Sequence, residues 1–236
     1  MVTSESHSAI ADTAVEAKDI FRTFEIGDNR IEVLKGVSLE AARGEKLFLV
    51  GPSGAGKTSL LYTLAGLEKP NAGEVFIEGS SLYHLGRREQ ARVRNETMGY
   101  VFQSFFLMPE LTALENVLVP SLIGGHRADD RARSLLDRVG LGERTGHLPS
   151  ELSGGEQQRV AIARSLMNDP KIIFADEPTG NLDSKTGVAV MDLLMELADE
   201  EERTLMVVTH DNSLAGIGDR TITLVDGLIV SDDVSS

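Results

Sequence analysis

The chain has no cysteine, and that one absence removes two kinds of architecture. Neither a disulfide framework nor a thiolate-held zinc cluster can be built, and a reducing compartment suits such a chain. Long apolar runs are missing too. No window approaches the roughly 18 apolar residues of a membrane-spanning helix. The longest runs, Leu47–Val50 and Ile172–Ala175, have strand length. The N-terminus lacks the basic-then-apolar plan of a secretion signal, so any link to a membrane is expected to come through a partner chain. Positive charge is scarce: 23 Lys and Arg stand against 37 Asp and Glu, a net charge of -14. A nucleic-acid partner is therefore not expected.

What remains, 236 residues with 41% hydrophobic content, suits one sizeable α/β domain with a helical insert. Residues 1–16, rich in Ser, Ala, Thr and Glu, read as a mobile tail before a domain over 17–236. Alternation around Ile20–Phe24 and Ile31–Leu39 predicts strands of an antiparallel sheet. Lys46–Val50 reads as a buried strand, followed by a helix with Leu60, Leu61, Leu64 and Leu67 on one face. Glu74–Glu78 is a further short strand. The helical insert is placed at about residues 87–168, interrupted by Met98–Phe102 and by Pro109 and Pro120. Within it, Ser153-x-x-Glu156 is a capping-box pattern, Val160, Ala163 and Met167 form an apolar stripe, and Asp169-Pro170 ends the helix. Lys171–Ala175 predicts a strand, Ser184–Glu202 a long helix with Asp199–Glu202 as its solvated end, and Leu205–Val208 another strand. Asp226-Gly227 between Thr221–Val225 and Leu228–Val230 signals a hairpin.

Two stretches carry chemistry by themselves. Gly51-Pro-Ser-Gly-Ala-Gly-Lys57-Thr58 fits G-x-x-x-x-G-K-[ST], a phosphate-binding loop. Gly51, Gly54 and Gly56 let the backbone curl with its N–H groups turned inward, and the helix starting near Lys57 adds its positive end. Lys57 reaches the β- and γ-phosphates, and the Thr58 hydroxyl ligates Mg²⁺. Ile172-Ile-Phe-Ala-Asp176-Glu177 is an apolar strand ending in two carboxylates. Asp176 suits Mg²⁺, usually through water, and Glu177 suits a general base polarising the attacking water. Ser153 with two glycines at a helix start is a second candidate anion site.

With Leu152-Ser-Gly-Gly-Glu-Gln-Gln-Arg159 added, the chain resembles the ATP-binding cassette (ABC) ATPases, from roughly Phe24 to His210. The resemblance implies a P-loop NTPase fold: an ABC-type nucleotide-binding domain with a RecA-like core, an antiparallel β subdomain and an α-helical subdomain. ATP and Mg²⁺ are the implied cofactors. Gln103 matches the Q-loop glutamine, which senses Mg²⁺ and γ-phosphate. His210 matches the switch histidine, which steadies transition-state charge. Asn181-Leu182-Asp183 resembles the D-loop. Phe24 falls where the family stacks an aromatic ring on adenine; plain packing is its other reading. Nucleotide contacts are thus implied for Phe24, Gly51, Pro52, Ser53, Gly54, Ala55, Gly56, Lys57, Thr58, Ser59, Ser153, Gly154, Gly155 and Asp183. Thr58, Gln103 and Asp176 are the implied metal ligands. Glu177, His210, Lys57 and Gln103 are the implied catalytic residues. His7, His84, His126 and His147 are surface or core residues without a site.

The resemblance also implies that two cassettes pair head to tail, Ser153 and Gly155 of one facing the γ-phosphate held by the other. The distance from Lys57 to Ser153 leaves no room for the coiled coils of DNA-repair members, and a second cassette is absent. The expected role is the ATPase of a membrane transporter, peripheral at the cytoplasmic face of the cell (inner) membrane, working on an integral membrane permease subunit. Met98–Val117, Pro149–Glu156 and Ala175–Asp183 look like the lipoprotein-releasing and macrolide-export subgroup. Lipoprotein release, peptide or drug export and a cell-division role share this cassette, and a cassette of a non-transport complex or a soluble ATP-switched dimer is the other class. Phe105, Phe106, Leu107, Met108 and Leu111 are the candidate docking surface for the permease, or else pack the helical insert.

Overall fold

Alternation of apolar and polar residues makes the N-terminal part of the chain a sheet. The computed structural model describes residues 12–27, 29–211 and 216–235. In it β1 (Thr13–Ile26) and β2 (Asn29–Ala42) form a long antiparallel pair. Burial in β2 follows every second residue from Val37 through Leu39 to Ala41, then skips to Leu34. The skip is a bulge at Gly36, which has a left-handed φ of 85° and lies so close to Phe21 that a Cβ would stand 2.9 Å from that ring. β4 (Ala72–Ile77) pairs with the other edge of β1, and β5 (Ser80–Ser81) completes the order β2-β1-β4-β5. Thr13–Glu16, expected in the tail, are strand. Val15 and Ala17 are buried opposite Ile77 and Val75, and that apolar pairing draws Thr13–Glu16 into β1. Residues 1–11 of the expected tail lie outside the described residues.

The chain divides into two compact units, one reaching Gln90 and resuming at Met206, the other Ala91–Leu205. In the first, β3 (Lys46–Val50) is buried from Leu47 to Val50, as a parallel strand covered on both faces must be. It runs parallel to β9 (Arg220–Val225), which turns into β10 (Leu228–Val234), and β8 (Thr204–Val208), begun in the second unit, ends beside β3. Asp226 and Gly227 have φ of 48° and 78°, the two positive values of a type I′ hairpin. α1 (Lys57–Leu64) buries Leu60, Leu61 and Leu64. Leu67, expected on the same stripe, is past its end and exposed, because Gly66 at φ 70° closes the helix.

In the second unit, which α2 (Arg87–Thr97) enters, β6 (Met98–Phe102) runs parallel to β7 (Ile172–Asp176). α3 (Ala113–Ile123), α4 (Asp129–Arg138) and α5 (Gly154–Ser165) pack on one another, and α6 (Ser184–Asp199) packs on α5. Pro120 sits inside α3 instead of breaking it. A Thr112–Glu115 capping box fixes the start of α3, and the Pro120 carbonyl accepts from Gly124 N and from the amides of Asn95 and Asn168. Tertiary partners thus override the proline signal. The acidic run at the end of α6 is ion-paired, not merely solvated: Glu200 and Glu201 meet Arg138 of α4, and Glu201 meets Arg203 at 2.8 Å.

Candidate functional site

The first unit shapes the phosphate loop between β3 and α1. Gly51 has φ 143°, and a Cβ there would fall 2.0 Å from the Leu224 carbonyl oxygen of β9. Gly56, at φ 100° before α1, would put a Cβ 2.7 Å from the Val33 carbonyl oxygen. Gly54, at φ 81°, has nothing within 4 Å, so it supplies left-handed backbone alone. Lys57 is buried and its Nζ donates to the carbonyls of Gly51 (2.8 Å) and Pro52 (2.9 Å), folding the ammonium over its own loop. The β9–β10 turn supports the loop from beneath. Gly227 N donates to the Ala55 carbonyl (3.1 Å), while its own carbonyl accepts from Lys35 N (3.0 Å). Gly51, Pro52 and Ser53 share a concavity of about 650 Å³ with His210, Gly216, Thr221 and Thr223. Phe24 stands on β1 opposite Ile31, with the Arg22 guanidinium 4.4 Å over its ring.

The second unit shapes the carboxylate end. The β6–β7 register sets Phe102 against Asp176, so the next residues, Gln103 and Glu177, leave adjacent strands at the same level. Asp176 is buried at the strand end. Glu177 takes a left-handed φ of 44°, a strained conformation for a side-chain-bearing residue. Gly180 explains how the two side chains meet. A Cβ on it would stand 2.7 Å from Gln103 Nε2 and 3.1 Å from Glu177 Oε2, so both lie over bare glycine backbone. Asn181 holds Gln103 twice: its Nδ2 donates to the Gln103 carbonyl (2.9 Å), and its Oδ1 accepts from Gln103 Nε2 (3.3 Å). Gln158 of α5 donates to the Pro178 carbonyl at 2.6 Å, fastening α5 beside the turn after Glu177.

The Ser153 capping box forms as expected. Ser153 N and Oγ donate to Glu156 at 2.8 and 2.7 Å, and Ser153 Oγ accepts from Glu156 N. These bonds hold the Glu156 carboxyl below its usual range. A Cβ on Gly155 would meet Thr186 Cγ2 of α6 at 2.5 Å, which keeps that position small. Asp183 caps α6 by accepting from Thr186 N (3.1 Å), and the same bonds lower its pKa.

A family model described as "ABC transporter" matches residues 34–180, a span that takes in the phosphate loop, Gln103, the Ser153 cap and Glu177.

The chain belongs to the ABC transporter family.

It is 46% identical over 221 residues to the lipoprotein-releasing system ATP-binding protein LolD of Shewanella oneidensis, covering 92% of this chain and 96% of that one. It is 48% identical to the macrolide export ATP-binding/permease protein MacB of Chlorobium phaeobacteroides, matching 93% of this chain and 34% of that longer one. Among solved structures, the dimeric post-hydrolysis ATP-binding cassette MJ0796 bound to ADP and Pi superposes with a TM-score of 0.87 at 42% identity, covering 94% of this chain and 99% of that one. The fold is therefore that of an ABC cassette, and the chain is an ATP-binding, ATP-hydrolysing subunit of an ABC transporter. These likenesses favour a transport subunit over the non-transport reading.

In this cassette each unit gathers its own share of the expected residues: the phosphate loop and His210 in the first, Gln103, Asp176, Glu177 and the Ser153 cap in the second. Of the expected docking run, Phe106 and Met108 are exposed at 62% and 46%, whereas Phe105, Leu107 and Leu111 are half-buried. Four contributors have roles that the sequence does not show. Asn181 is visible there only as part of the D-loop pattern. Gly180 and Gly227 matter through what lies over them, which no local pattern records. Asn116 is fully buried and holds the docking run: it accepts from Met108 N (2.8 Å) and donates to the carbonyls of Met108 (3.1 Å) and Leu111 (2.9 Å). None of the described helices is long and apolar enough to cross a membrane.

Proposed function

We propose that this cassette drives lipoprotein release: two copies close head to tail on ATP and move a separate integral membrane subunit that extracts lipoproteins from the outer leaflet of the inner membrane. The carrying observation is the Gln103–Glu177 pair over Gly180, at the root of a loop that exposes Phe106 and Met108. It joins a hydrolytic residue to an apolar surface through one short segment. The identity to LolD over nearly the whole chain supports the choice of cargo, and the dimeric cassette neighbours support the pairing.

Each residue has its own task in this scheme. The glycine-shaped loop from Gly51 to Ser59 cradles phosphate with backbone N–H groups, and Lys57 exchanges its carbonyl partners for phosphate oxygens. Phe24 stacks on adenine, its ring already backed by Arg22. The donors offered by Thr58, Gln103 and Asp176 are all hard oxygens, and no cluster of three or more acidic, His or Cys side chains occurs among the described residues. That set fits Mg²⁺, which favours a few protein oxygens plus phosphate. When bound, the ion neutralises charge on the β- and γ-phosphates. With its Nε2 engaged by Asn181, Gln103 keeps Oε1 for the cation. Glu177 takes the proton of the attacking water. His210 steadies the developing charge. Ser153, Gly154 and Gly155, with Asp183, complete the site of the opposite copy. The permease docks on Phe105–Leu111.

The test is a pull-down of tagged Glu177→Gln chain from detergent-solubilised native membranes with ATP and Mg²⁺, read by mass spectrometry. A stoichiometric membrane protein with a large extracytoplasmic domain is expected, and vesicles carrying that protein with the unaltered chain should release lipoprotein on ATP addition. Recovery of soluble partners alone would overturn the proposal.

A further inference from the structure

Arg164, on the last turn of α5, has no part in the scheme above, yet it sits in an unusual environment. Its Nη2 donates to the Phe105 carbonyl (2.6 Å) and its Nη1 to the Phe106 carbonyl (2.5 Å). Those two residues have consecutive left-handed φ values, 59° and 46°, and neither is glycine. Two adjacent side-chain-bearing residues do not hold that conformation unless the surroundings impose it. The rigid guanidinium fork matches two convergent carbonyls as a lysine ammonium cannot.

The charge is held by dipoles alone. No carboxylate pairs with Arg164 among the described residues, and burial pushes its pKa down to about 10. An ion pair would have been the simpler way to house this side chain. A second contact binds the same loop to the start of the helix: the Phe105 ring reaches to 3.8 Å from the position of a Cβ on Gly154. The loop is thus fastened at Gln103 by Asn181, at Met108 by Asn116, and between them by Arg164.

We propose that Arg164 is a positioning residue that locks the Gln103–Met108 loop to the helix carrying Ser153, so that the two move as one piece. A shift of the signature helix then displaces Gln103 and the exposed Phe106 and Met108 together. This rests on the roles given above to Gln103 and to the docking run.

The test uses the full chain with Arg164→Met and Arg164→Lys. Three readouts are taken: ATP affinity, kcat, and hydrogen exchange of the amides of Ser104–Met108. In Arg164→Met we expect ATP affinity to stay within about twofold, because the phosphate loop is untouched, while kcat falls roughly tenfold to hundredfold. Amide exchange in Ser104–Met108 should rise about tenfold or more while α5 stays protected. Arg164→Lys, with one donor group in place of a fork, should recover only part of each change. Unchanged exchange in Ser104–Met108 would overturn the clamp. So would a parallel loss of affinity, kcat and protection throughout α5, which marks a merely structural residue. Gln103→Ala separates the two layers. If that change leaves kcat intact, the role of Gln103 is wrong, and the exchange readout alone then decides the clamp. Should Arg164→Met fail to fold, Arg164→Lys is compared with the unaltered chain by the same three readouts, and the same outcomes support or overturn the clamp.

Discussion

Gly227→Ala gives the sharpest check on how the phosphate loop is supported. At Gly227 φ is 78°, and a Cβ would lie 2.4 Å from the Val33 carbonyl oxygen. That is ~0.9 Å short of an ordinary C···O contact. The obstacle is backbone of β2 and cannot rotate away, so the turn must move. Its N–H is the donor to Ala55 at 3.1 Å, and a shift of that size breaks the bond. The left-handed alanine costs about 1 kcal/mol, the overpacking about 1 or more, and the lost hydrogen bond about 1. The total of about 3 kcal/mol lowers Tm by about 6–12 °C in a chain of this size. Gly79→Ala is the control: its φ is 76°, and nothing lies within 4 Å. Only the backbone term applies there, about 1 kcal/mol or about 2–4 °C. Thermal melts of both variants and an ATP titration decide the matter, with a weaker ATP affinity expected for Gly227→Ala only. Equal melting shifts, or unchanged ATP affinity in Gly227→Ala, would refute the buttress.

Glu177→Gln should bind ATP and stay dimeric while turnover falls by roughly 10²–10⁴; a steady-state ATPase assay that finds normal turnover removes Glu177 as the base. Gly155→Ala should lose about 1–3 kcal/mol in urea unfolding, because its Cβ meets Thr186 Cγ2 at 2.5 Å. Thr186→Ser deletes that methyl and should restore most of the loss in the double variant. The Asp232 carboxyl is held below its usual range by its hydrogen bonds with Arg220, at 2.5 and 2.6 Å. A carboxylate depressed in the folded state adds stability above its unfolded pKa of about 3.9, and that stability is lost as pH falls through the folded value. Melts between pH 6 and 2.5 should therefore show a shallower acid limb for Asp232→Asn, and identical limbs would refute the pairing.

Much of this cassette was legible in the chain because its signals are local. The Gly51–Thr58 pattern names its own chemistry, Asp226-Gly227 names its own turn, and Ser153-x-x-Glu156 forms the cap it announces. Strand alternation found the middle of β1 but missed its start at Thr13, alternation placed β2 to within a few residues, and the apolar run placed β3. The errors arose where a distant partner outweighs a local signal. Thr13–Glu16 look like a tail until Ile77 and Val75 lie opposite. Pro120 looks like a breaker until Asn95 and Asn168 reach its carbonyl. The acidic end of α6 looks solvated until Arg138 arrives from α4.

The sequence by itself determined which residues can cradle phosphate and which can take a proton, since those capacities follow from side-chain type and the local shape of a strand-to-helix turn. Only the tertiary structure decided who stands beside whom. The β6–β7 register brought Gln103 level with Glu177, Gly180 left room beneath both, Gly227 came to rest under Ala55, and Arg164 found the carbonyls of two left-handed residues. Each depends on hydrogen-bond register and close approach between segments far apart in the chain, and a one-residue slip would undo the match without changing any motif.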